Sequence, residues 1–554
     1  MPLRTYLWLL VPTLIGATIG LGLAHRAGGP TVHASAAAPP VARCCSVINP
    51  PRRVYRNVKV HVQVGLTPVR ATLASAGITA SPSTVQVQKH GPIVVFSVPP
   101  DSISASATSD PTATDTTGTD TTSTPTTPSP PVSTTPIDIT DVHTTSLTAF
   151  SARIEWQTSE PVTSEVAYGL DSPTLWSAAD TPSVDHLAVV DGLTFNTTYH
   201  LWVQAQASDG RSASSPFLLT TPPLSGPVTG STANSAILAN GQVLFPTMVW
   251  AACPDQYSGE LAAGIDLFMG KDCGSAEKQL GDLGNRGFLV TNAQDQAAPG
   301  AIGTFLPDEW DTFLPNNLSA DTARGLVPNN GGGPRFLTLT NHFYSHAEPL
   351  PQGRGMYPAL IQTADVLGFD LYPLQNWCRY DDFGHVFESQ RELTHLAAGK
   401  PTFQWIEARG MDCHDPTLNP TAETVHAETW LAIAGGAHAM GYFPKDFGPG
   451  IGAQIAADKR QIETLVPALL EPELEAGATS PVKVGAREHN GAIYVIAVNA
   501  SRTTATSTIT VPSLGTRPLT SLDGTSTVTP AAGAFSDTFA PLSVHVYIAA
   551  PTTS

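Results

Sequence analysis

The chain has 554 residues, 41% of them hydrophobic, and is therefore long enough to form several domains with buried cores. Acidic residues outnumber basic residues by 46 to 28, and the formal net charge is -18 at pH 7. Because this charge repels phosphate backbones, nucleic acid is not an expected partner.

The N-terminus has the pattern of an export segment. Arg4 precedes an apolar run from Leu7 to Ala24, and Val32-His33-Ala34 offers small residues at the spacing of a cleavage site. Residues 1–34 are predicted to be a signal peptide. The apolar run is also just long enough to span a bilayer, so an uncleaved anchor that tethers the chain to a membrane or cell wall is the alternative. Either way, the remainder is expected to be secreted or at the extracellular cell surface.

Two segments of different character follow. Residues 41–100 contain alternating apolar runs such as Val58–Val64 and Val85–Val87, which predict a small β module whose function the pattern does not indicate. Residues 101–136 are almost entirely Thr, Ser, Pro, Asp and Ala. This composition cannot build a core and predicts a disordered linker.

Residues 137–222 consist of short strand patterns separated by turns, at the spacing of a β-sandwich. The predicted strands include Ala152–Trp156, Glu165–Gly169 and Thr198–Ala205. The phrases Ile154-Glu155-Trp156, Gly192-Leu193 and Tyr199-His200-Leu201-Trp202-Val203 resemble those of fibronectin type III domains. This resemblance implies a spacer or contact module without chemistry of its own.

After a Pro/Gly/Ser linker at 222–235, short buried strand patterns alternate with helix-length segments, which is typical of a parallel α/β architecture. Eight strands are predicted, the number of a (β/α)8 TIM barrel at residues 237–472. They are Val243–Trp250, Ile265–Met269, Gly287–Asn292, Gly303–Pro307, Arg335–Asn341, Val366–Tyr372, Thr402–Ile406 and Ala439–Phe443. Asn419 is expected to cap the helix that runs to Ala434, with Pro420 in its first turn.

The C-terminal part, residues 477–550, returns to strand patterns such as Val482–Val484, Ala492–Val498 and Val544–Ile548. A small antiparallel β domain is predicted there. It resembles the β domains that follow barrels in many glycoside hydrolases, which implies that it packs on the barrel and takes no part in catalysis.

Polar and aromatic residues cluster at the ends of the predicted strands, where a barrel of this kind places its reactive groups. The residues that we expect to bind substrate are Trp250, Asn292, Asp308, Asn341, His342, Asp370, Tyr372, Trp377 and Tyr442. Two glutamates, Glu309 and Glu407, follow strands four and seven. Hydrolysis of a glycosidic bond needs one carboxylic acid to protonate the leaving oxygen and one carboxylate to attack or to activate water. Aromatic rings can stack on sugars, and no metal or organic cofactor is required.

The barrel segment resembles the large clan of glycoside hydrolases that carry the acid/base on strand four and the nucleophile on strand seven. The phrases that carry the resemblance are Leu306–Asp311, Leu367–Pro373, Gln404–Glu407 and Ile433–Phe443. It implies that Glu309 is the acid/base and Glu407 the nucleophile of a retaining, two-step reaction.

One departure from the clan concerns the residue before Glu309. The clan commonly has asparagine there, which contacts the sugar 2-hydroxyl, whereas this chain has Asp308. Asp308 could accept a hydroxyl hydrogen bond, raise the pKa of Glu309 by repulsion, or itself be catalytic. Asp370 is a further candidate, and its pairing with Glu309 could give an inverting enzyme, whose carboxyl groups stand farther apart.

Four cysteines follow barrel strands in pairs, and a disulfide within each pair would join neighbouring loops. The predicted pairs are Cys253 with Cys273 and Cys378 with Cys413. The adjacent Cys44 and Cys45 have no obvious partner.

The sequence thus predicts an exported, monomeric glycoside hydrolase that acts on an extracellular or cell-wall polysaccharide. The alternative is a catalytically inactive carbohydrate-binding or cell-envelope protein that keeps the barrel as a scaffold.

Overall fold

The structure is a computed structural model that describes residues 135–270, 273–293, 298–328 and 332–552, together with the backbone of a hairpin. In this hairpin, β1 (Gln86–His90) pairs antiparallel with β2 (Ile93–Ser97). The hairpin belongs to one compact unit, Met1–Pro125, and everything that follows belongs to a second, Thr126–Ser554. The predicted signal peptide, the remainder of the small β module and most of the first linker lie outside the described residues. No helix in the described ranges is long and apolar enough to cross a membrane.

The second unit begins with an antiparallel β domain, here called the middle β domain. Its strands are β3 (Ile139–Leu147), β4 (Ala152–Gly169), β5 (Leu175–Trp176), β6 (Ser183–Val190), β7 (Thr198–Gln206) and β8 (Ser212–Thr220). Two strands that the sequence predicts separately are one continuous strand, β4. Its first half pairs with β3 and β6 and its second half with β5 and β7, with a register shift between Gln157 and Val162. Trp156 and Tyr168 are buried in its core.

A three-stranded antiparallel sheet lies between this domain and the barrel along the chain. It consists of β9 (Gly230–Ala233), β10 (Ala236–Ala239) and β11 (Gln242–Leu244). The predicted linker therefore contains a strand. Ile237 and Leu244 pack with barrel residues such as Phe288 in one apolar cluster, so the sheet covers residues at the amino ends of the barrel strands.

Eight parallel strands form a closed barrel in the predicted order, which confirms the TIM-barrel fold. They are β12 (Thr247–Trp250), β13 (Leu267–Met269), β14 (Phe288–Asn292), β15 (Gly303–Phe305), β16 (Arg335–Thr340), β17 (Val366–Asp370), β18 (Thr402–Glu407) and β19 (Ala439–Phe443). The first strand is shorter than predicted, because Pro246 separates it from β11. Proline has no N–H to donate to a ladder, and the Pro246 carbonyl instead accepts the N–H of Met440.

Successive residues of each strand point alternately to the inside of the barrel and to the surrounding helices. On β18, Phe403 and Trp405 pack in the interior cluster, whereas Ile406 packs in the outer layer. On β17, Val366 lies inside and Leu367 and Phe369 outside, so Asp370 is an inward position at the carboxyl end.

The helices of the barrel region are α1 (Tyr257–Ala262), α2 (Ala276–Leu283), α3 (Ala320–Leu326), α4 (Tyr357–Ile361), α5 (Gly384–Ala397), α6 (Ala422–Ala434), α7 (Ile451–Glu463) and α8 (Val466–Leu469). The N-cap of α6 is Thr421, two residues later than predicted. Its hydroxyl accepts the Thr424 N–H, and the Thr424 hydroxyl accepts the Thr421 N–H, a reciprocal capping box. Asn419 instead ends a 3-10 helix, Pro416–Leu418.

The C-terminal β domain has two antiparallel sheets. Its strands are β20 (Gly477–Ala478), β21 (Val482–His489), β22 (Ala492–Asn499), β23 (Ala505–Thr510), β24 (Leu519–Ser521), β25 (Thr527–Val528), β26 (Ala534–Phe539) and β27 (Val544–Ala549). Tyr494, Ile496 and Val498 of β22 belong to the same apolar cluster as α6. This domain therefore packs on the barrel, as the sequence implies.

Candidate active site

The carboxyl end of the barrel brings together inward side chains from several strands. Trp250, Asn292 and Asp370 each end a strand, β12, β14 and β17 respectively, and each is partly exposed. The Trp250 ring meets the Phe305 ring edge-on, with centroids 4.8 Å apart. This end of the barrel is where enzymes with this fold carry their chemistry.

Glu309 lies in the loop after β15 and is held in a strained backbone conformation. Its φ of 47° and ψ of 42° are left-handed, which is uncommon for a residue other than glycine. A 3-10 helix, Trp310–Phe313, follows immediately. Such strain persists only where surrounding contacts fix the chain, and Asp311 provides them here.

Asp311 is fully buried and anchors this loop to the next strand. Its carboxylate accepts the N–H of Thr340 at 3.2 Å and the hydroxyl of Tyr357 at 2.7 Å. Burial raises the pKa of Asp311, and the hydrogen bonds from Thr340 and Tyr357 oppose that rise. The sequence analysis missed Asp311, although it lies two residues after a predicted catalytic glutamate.

The carboxyl groups of Glu309 and Asp370 lie close enough together for Glu309 to raise the pKa of Asp370. Burial raises the pKa of Asp370 well above its usual value, and the hydrogen bond and charge of Glu309 raise it further. The charges of Asp308 and Asp311 act in the same direction. These effects all favour the protonated form of Asp370.

Glu407 has a different environment. It has no exposed surface, and its two carboxylate oxygens accept the N–H groups of Leu374 at 2.8 Å and Gln375 at 2.7 Å. A second buried carboxyl group, Glu428 of α6, lies close enough to Glu407 for the two to affect each other's pKa. Burial raises the pKa of Glu407 to about 8, against the effect of the two N–H groups. The groups close to the Glu407 carboxylate thus belong to the loop after β17 and to helix α6.

Glu428 was also missed by the sequence analysis. It is fully buried, and both its burial and the neighbouring charge of Glu407 raise its pKa well above its usual value. A glutamate at a buried position of an apolar helix is rare without a partner, and this rarity is the signal that could have identified it.

The other predicted substrate-binding residues differ in exposure. Tyr372 is 8% exposed and its ring stacks on that of Phe443, with centroids 6.2 Å apart. Trp377 is partly exposed and meets the His385 ring edge-on. Asp308 is exposed beside Glu309. Tyr442, in contrast, is fully buried between β19 and α6, where its hydroxyl lies 3.0 Å from that of Thr429.

Asn341 and His342 form part of a short 3-10 helix, Asn341–Phe343, directly after β16. Asn341 is 4% exposed, and His342 Nδ1 lies 2.6 Å from the Glu348 carbonyl oxygen. The structure thus brings Glu309 and Asp370 together, surrounds them with carboxylates and aromatic rings, and leaves Glu407 and Tyr442 with no exposed surface.

Both predicted disulfides are confirmed: Cys253 is bonded to Cys273 and Cys378 to Cys413. Each disulfide joins the loops that follow two neighbouring barrel strands, at the end of the barrel where Glu309 and Asp370 lie. These crosslinks restrict the loops that border the candidate site.

Comparisons with known proteins give distant structural similarity only. No protein-family model matches the chain, and no curated protein matches its sequence. A Bacteroides fragilis protein described provisionally as an α-galactosidase is 13% identical, with a TM-score of 0.36 over 75% of this chain and 98% of its own.

Two further structures have similar scores. A β-glucuronidase from Ruminococcus gnavus is 9% identical, with a TM-score of 0.29 over 58% of this chain and 67% of its own. An endoxylanase of glycoside hydrolase family 30 from Clostridium papyrosolvens is 12% identical, with a TM-score of 0.31 over 58% of this chain and 100% of its own. At these scores the similarity carries no argument about activity. The barrel fold is identified from its own strand pairing, and activity is inferred from the candidate site.

Proposed function

We propose that the chain is an exported glycoside hydrolase that cleaves glycosidic bonds in an extracellular or cell-wall polysaccharide. The observation that carries this proposal is the contact between Glu309 and Asp370 at the carboxyl end of the barrel. A protonated carboxyl group beside a second carboxyl group is the pair that glycosidic hydrolysis requires. The strained backbone of Glu309 supports a functional role, because strain of this kind concentrates at active sites.

In the proposed reaction, Asp370 is the general acid and Glu309 the nucleophile. Asp370 transfers its proton to the glycosidic oxygen as that bond breaks, and the Glu309 carboxylate bonds to the anomeric carbon. Asp370 then takes a proton from water, whose oxygen displaces Glu309 and releases the sugar. Neither step of this reaction needs a metal or an organic cofactor.

The contact between the two carboxyl groups favours a retaining mechanism. Retaining enzymes separate them by about 5–5.5 Å, and inverting enzymes by about 6.5–9.5 Å to admit a water molecule. Carboxyl groups close enough for one to raise the pKa of the other fit the shorter of these separations better.

The clan resemblance assigns the nucleophile to Glu407 instead, with Glu309 as acid/base. This assignment has the position at the end of strand seven in its favour. Against it, Glu407 has no exposed surface and both its oxygens already accept backbone N–H groups. We therefore propose Asp370 as the partner of Glu309 and a structural role for Glu407.

Aromatic and amide side chains around the pair suit a carbohydrate. Trp250, Tyr372 and Trp377 offer ring surfaces that can cover the apolar faces of sugars, and Asn292 and Asp308 can hydrogen-bond to hydroxyl groups. Tyr442 has no access to substrate in this arrangement, because it is fully buried.

Two further features support the wider proposal. The disulfides fit an oxidising compartment outside the cytoplasm and so support export. We also propose that the middle β domain is a fibronectin type III domain. The hydroxyl of its buried Tyr199 accepts the Thr194 N–H at 2.9 Å, a tyrosine that turns back to the preceding backbone as in immunoglobulin-like sandwiches.

The test is a screen of aryl glycosides and polysaccharides with the wild-type chain and three variants, Glu309→Gln, Asp370→Asn and Glu407→Gln. Loss of an acid/base or nucleophile should lower kcat by about 10²–10⁴-fold or more in the first two variants, with an unchanged circular dichroism spectrum. Glu407→Gln should lower the melting temperature while its folded fraction keeps most of its kcat. Glu277→Gln, at an exposed position in the first turn of α2, is the control and should keep the wild-type kcat.

The first-formed product, followed by NMR of its anomeric proton, should retain the configuration of the substrate. Wild-type kcat in either Glu309→Gln or Asp370→Asn would overturn the assignment of roles. Polysaccharide binding without any turnover by the wild-type chain would overturn the hydrolase proposal and favour a binding protein with a barrel scaffold.

A further inference from the structure

A cluster of metal-binding side chain types lies beside the candidate active site and has no part in the proposed reaction. His346 follows the 3-10 helix after β16, and His385 and Glu388 lie one turn apart on α5. One ligand atom from each residue, Nδ1 of the two histidines and Oε2 of the glutamate, lies within 4.8 Å of the others.

We propose that His346, His385 and Glu388 bind a divalent transition metal ion, with Zn²⁺ as the expected occupant. Two imidazole nitrogens and one carboxylate oxygen form a donor set that suits zinc. This inference does not depend on the proposed hydrolase activity, because none of the three ligand residues takes part in the proposed reaction.

The distances between the ligand atoms fit tetrahedral coordination. Bonds of about 2.0–2.1 Å to zinc place tetrahedral ligands about 3.4 Å apart. Here Glu388 Oε2 lies 3.6 Å from His346 Nδ1 and 3.3 Å from His385 Nδ1. Both distances are close to the separation of two zinc ligands.

The hydroxyl of Tyr344 lies at the remaining corner. It is 3.0 Å from His346 Nδ1, 2.7 Å from His385 Nδ1 and 2.8 Å from Glu388 Oε2. The centre of a tetrahedron with edges of this length is roughly 2 Å from each corner, the length of a metal–ligand bond. Tyr344 is thus placed to complete a site with two nitrogen and two oxygen ligands.

A network of hydrogen bonds alone could account for these contacts only under one condition. A phenol hydroxyl has a single proton, which it can give to one partner, and its oxygen can accept from two others. Both imidazoles would therefore need a proton on Nδ1. Binding of zinc instead needs Nδ1 of both rings to be free of a proton, so the two explanations predict different behaviour when metal is added.

The cluster is accessible to solvent, and a neighbouring ion pair orients one of its ligand atoms. The His346 side chain is 65% exposed, and those of His385 and Glu388 are 31% and 34% exposed, so an ion can enter from solvent. Lys483 of the C-terminal β domain binds the other carboxylate oxygen of Glu388, Oε1, at 2.5 Å. That ion pair directs Oε2 towards the two imidazoles. An ion bound here would tie the loop after β16 to α5 and, through Lys483, to the C-terminal β domain.

The experiment is calorimetric titration of the full chain, without a histidine tag and freed of metal by chelator, with ZnCl₂ alone. One zinc ion per chain should bind, and Co²⁺ at the same site should give a visible absorption band. His346→Ala should fold normally, since the side chain is mostly exposed, and should weaken zinc binding at least tenfold. His385→Ala should do the same.

The matched control is His395→Ala, an exposed histidine in the last turn of α5, which should leave zinc affinity unchanged. Zinc should also raise the melting temperature of the wild-type chain and of His395→Ala, but not of His346→Ala. Equal zinc affinity in the wild-type chain, His346→Ala and His385→Ala would overturn the proposal, as would the absence of any zinc binding by the wild-type chain.

Discussion

The carboxyl groups of Glu407 and Glu428 illustrate how single residues behind the candidate site control its surroundings. Two backbone N–H groups donate to Glu407, and the buried carboxyl group of Glu428 lies close to it. Because both side chains are fully buried, loss of the shared proton would leave two negative charges in contact inside the protein. The fold is therefore most stable when this pair retains a proton.

The pH dependence of stability follows from the direction of these shifts. Burial raises the pKa of Glu407 from 4.5 to about 8 and raises that of Glu428 well above its usual value. Between about pH 4.5 and 8 the folded state thus holds protons that the unfolded state has lost, and the stability of the folded state falls as the pH rises through that window. The Glu428→Gln variant has an amide of nearly the same size in place of the carboxyl group and has no proton to lose.

We predict that the melting temperature of the wild-type chain falls between pH 5 and pH 8, and that Glu428→Gln removes several degrees of that fall. Calorimetry or circular dichroism at a series of pH values measures the effect. Glu423→Gln, at an exposed position in the first turn of the same helix, is the control and should follow the wild-type curve. Parallel curves for the wild-type chain and Glu428→Gln would contradict the shared proton.

Sequence reasoning at this scale finds the strand ends but not the direction of every side chain. Asp370 was recognised because it ends a buried strand, and alternation along β17 directs it inward. Tyr442 also occupies a strand end, but the same alternation along β19 directs it outward to Thr429. The contact of Glu407 with Glu428 joins a strand to a helix packed behind it, and no local pattern predicts such a pairing.

Among the elements, helix α6 shows how a local signal sets a boundary. The sequence predicts its N-cap at Asn419, whereas the structure places it at Thr421, because the side chains of Thr421 and Thr424 cap each other's backbone. Two candidate caps separated by one proline are hard to rank from sequence. The helix carries Glu428 and Trp430, so its boundary also fixes residues that pack behind the site.

We predict that Thr421→Ala lowers the free energy of unfolding by about 1 kcal/mol, the usual effect of losing a helix cap. Thr421→Ser keeps the accepting hydroxyl and should be close to the wild-type chain. Urea denaturation followed by circular dichroism gives the comparison. An equal loss in both variants would show that the methyl group of Thr421, and not its hydroxyl, stabilises this end of the helix.

The eight barrel strands were predictable because each is a short apolar run bounded by turn residues or proline. Their limits differ from prediction most at Pro246, which divides one predicted strand into β11 and β12. The chain pairs each part with a different sheet. Which sheet a strand joins depends on residues far along the sequence, and the pattern of one segment does not contain that information.

At the scale of the whole second unit, the middle β domain, the barrel and the C-terminal β domain are joined by buried contacts. The Tyr494 hydroxyl donates to the Thr174 carbonyl at 2.8 Å, and the Thr174 hydroxyl donates to the Thr464 carbonyl at 2.7 Å. Phe195 of the middle β domain meets Phe288 of the barrel edge-on, with centroids 5.8 Å apart. The resemblance to fibronectin type III domains implies a spacer or contact module, and the structure places this domain against the barrel and the C-terminal β domain.

We predict that these three parts melt in a single calorimetric transition, and that Tyr494→Phe lowers the temperature of that whole transition. Loss of the hydroxyl leaves the buried Thr174 carbonyl without this donor, an effect of about 1–3 kcal/mol. Tyr380→Phe is the control, because the Tyr380 hydroxyl bonds the Thr417 carbonyl near the surface. A separate early transition of the middle β domain in the wild-type chain would contradict the prediction.

The bond between Tyr494 and Thr174 also has a consequence for biosynthesis. The two residues are 320 positions apart, and ribosomes add about 5–20 residues each second, so roughly 16–64 s pass between their syntheses. During that time the Thr174 carbonyl lacks this donor, although the Thr174 hydroxyl can already reach the Thr464 carbonyl. The middle β domain therefore gains its contact with the C-terminal β domain only after the last part of the chain is made.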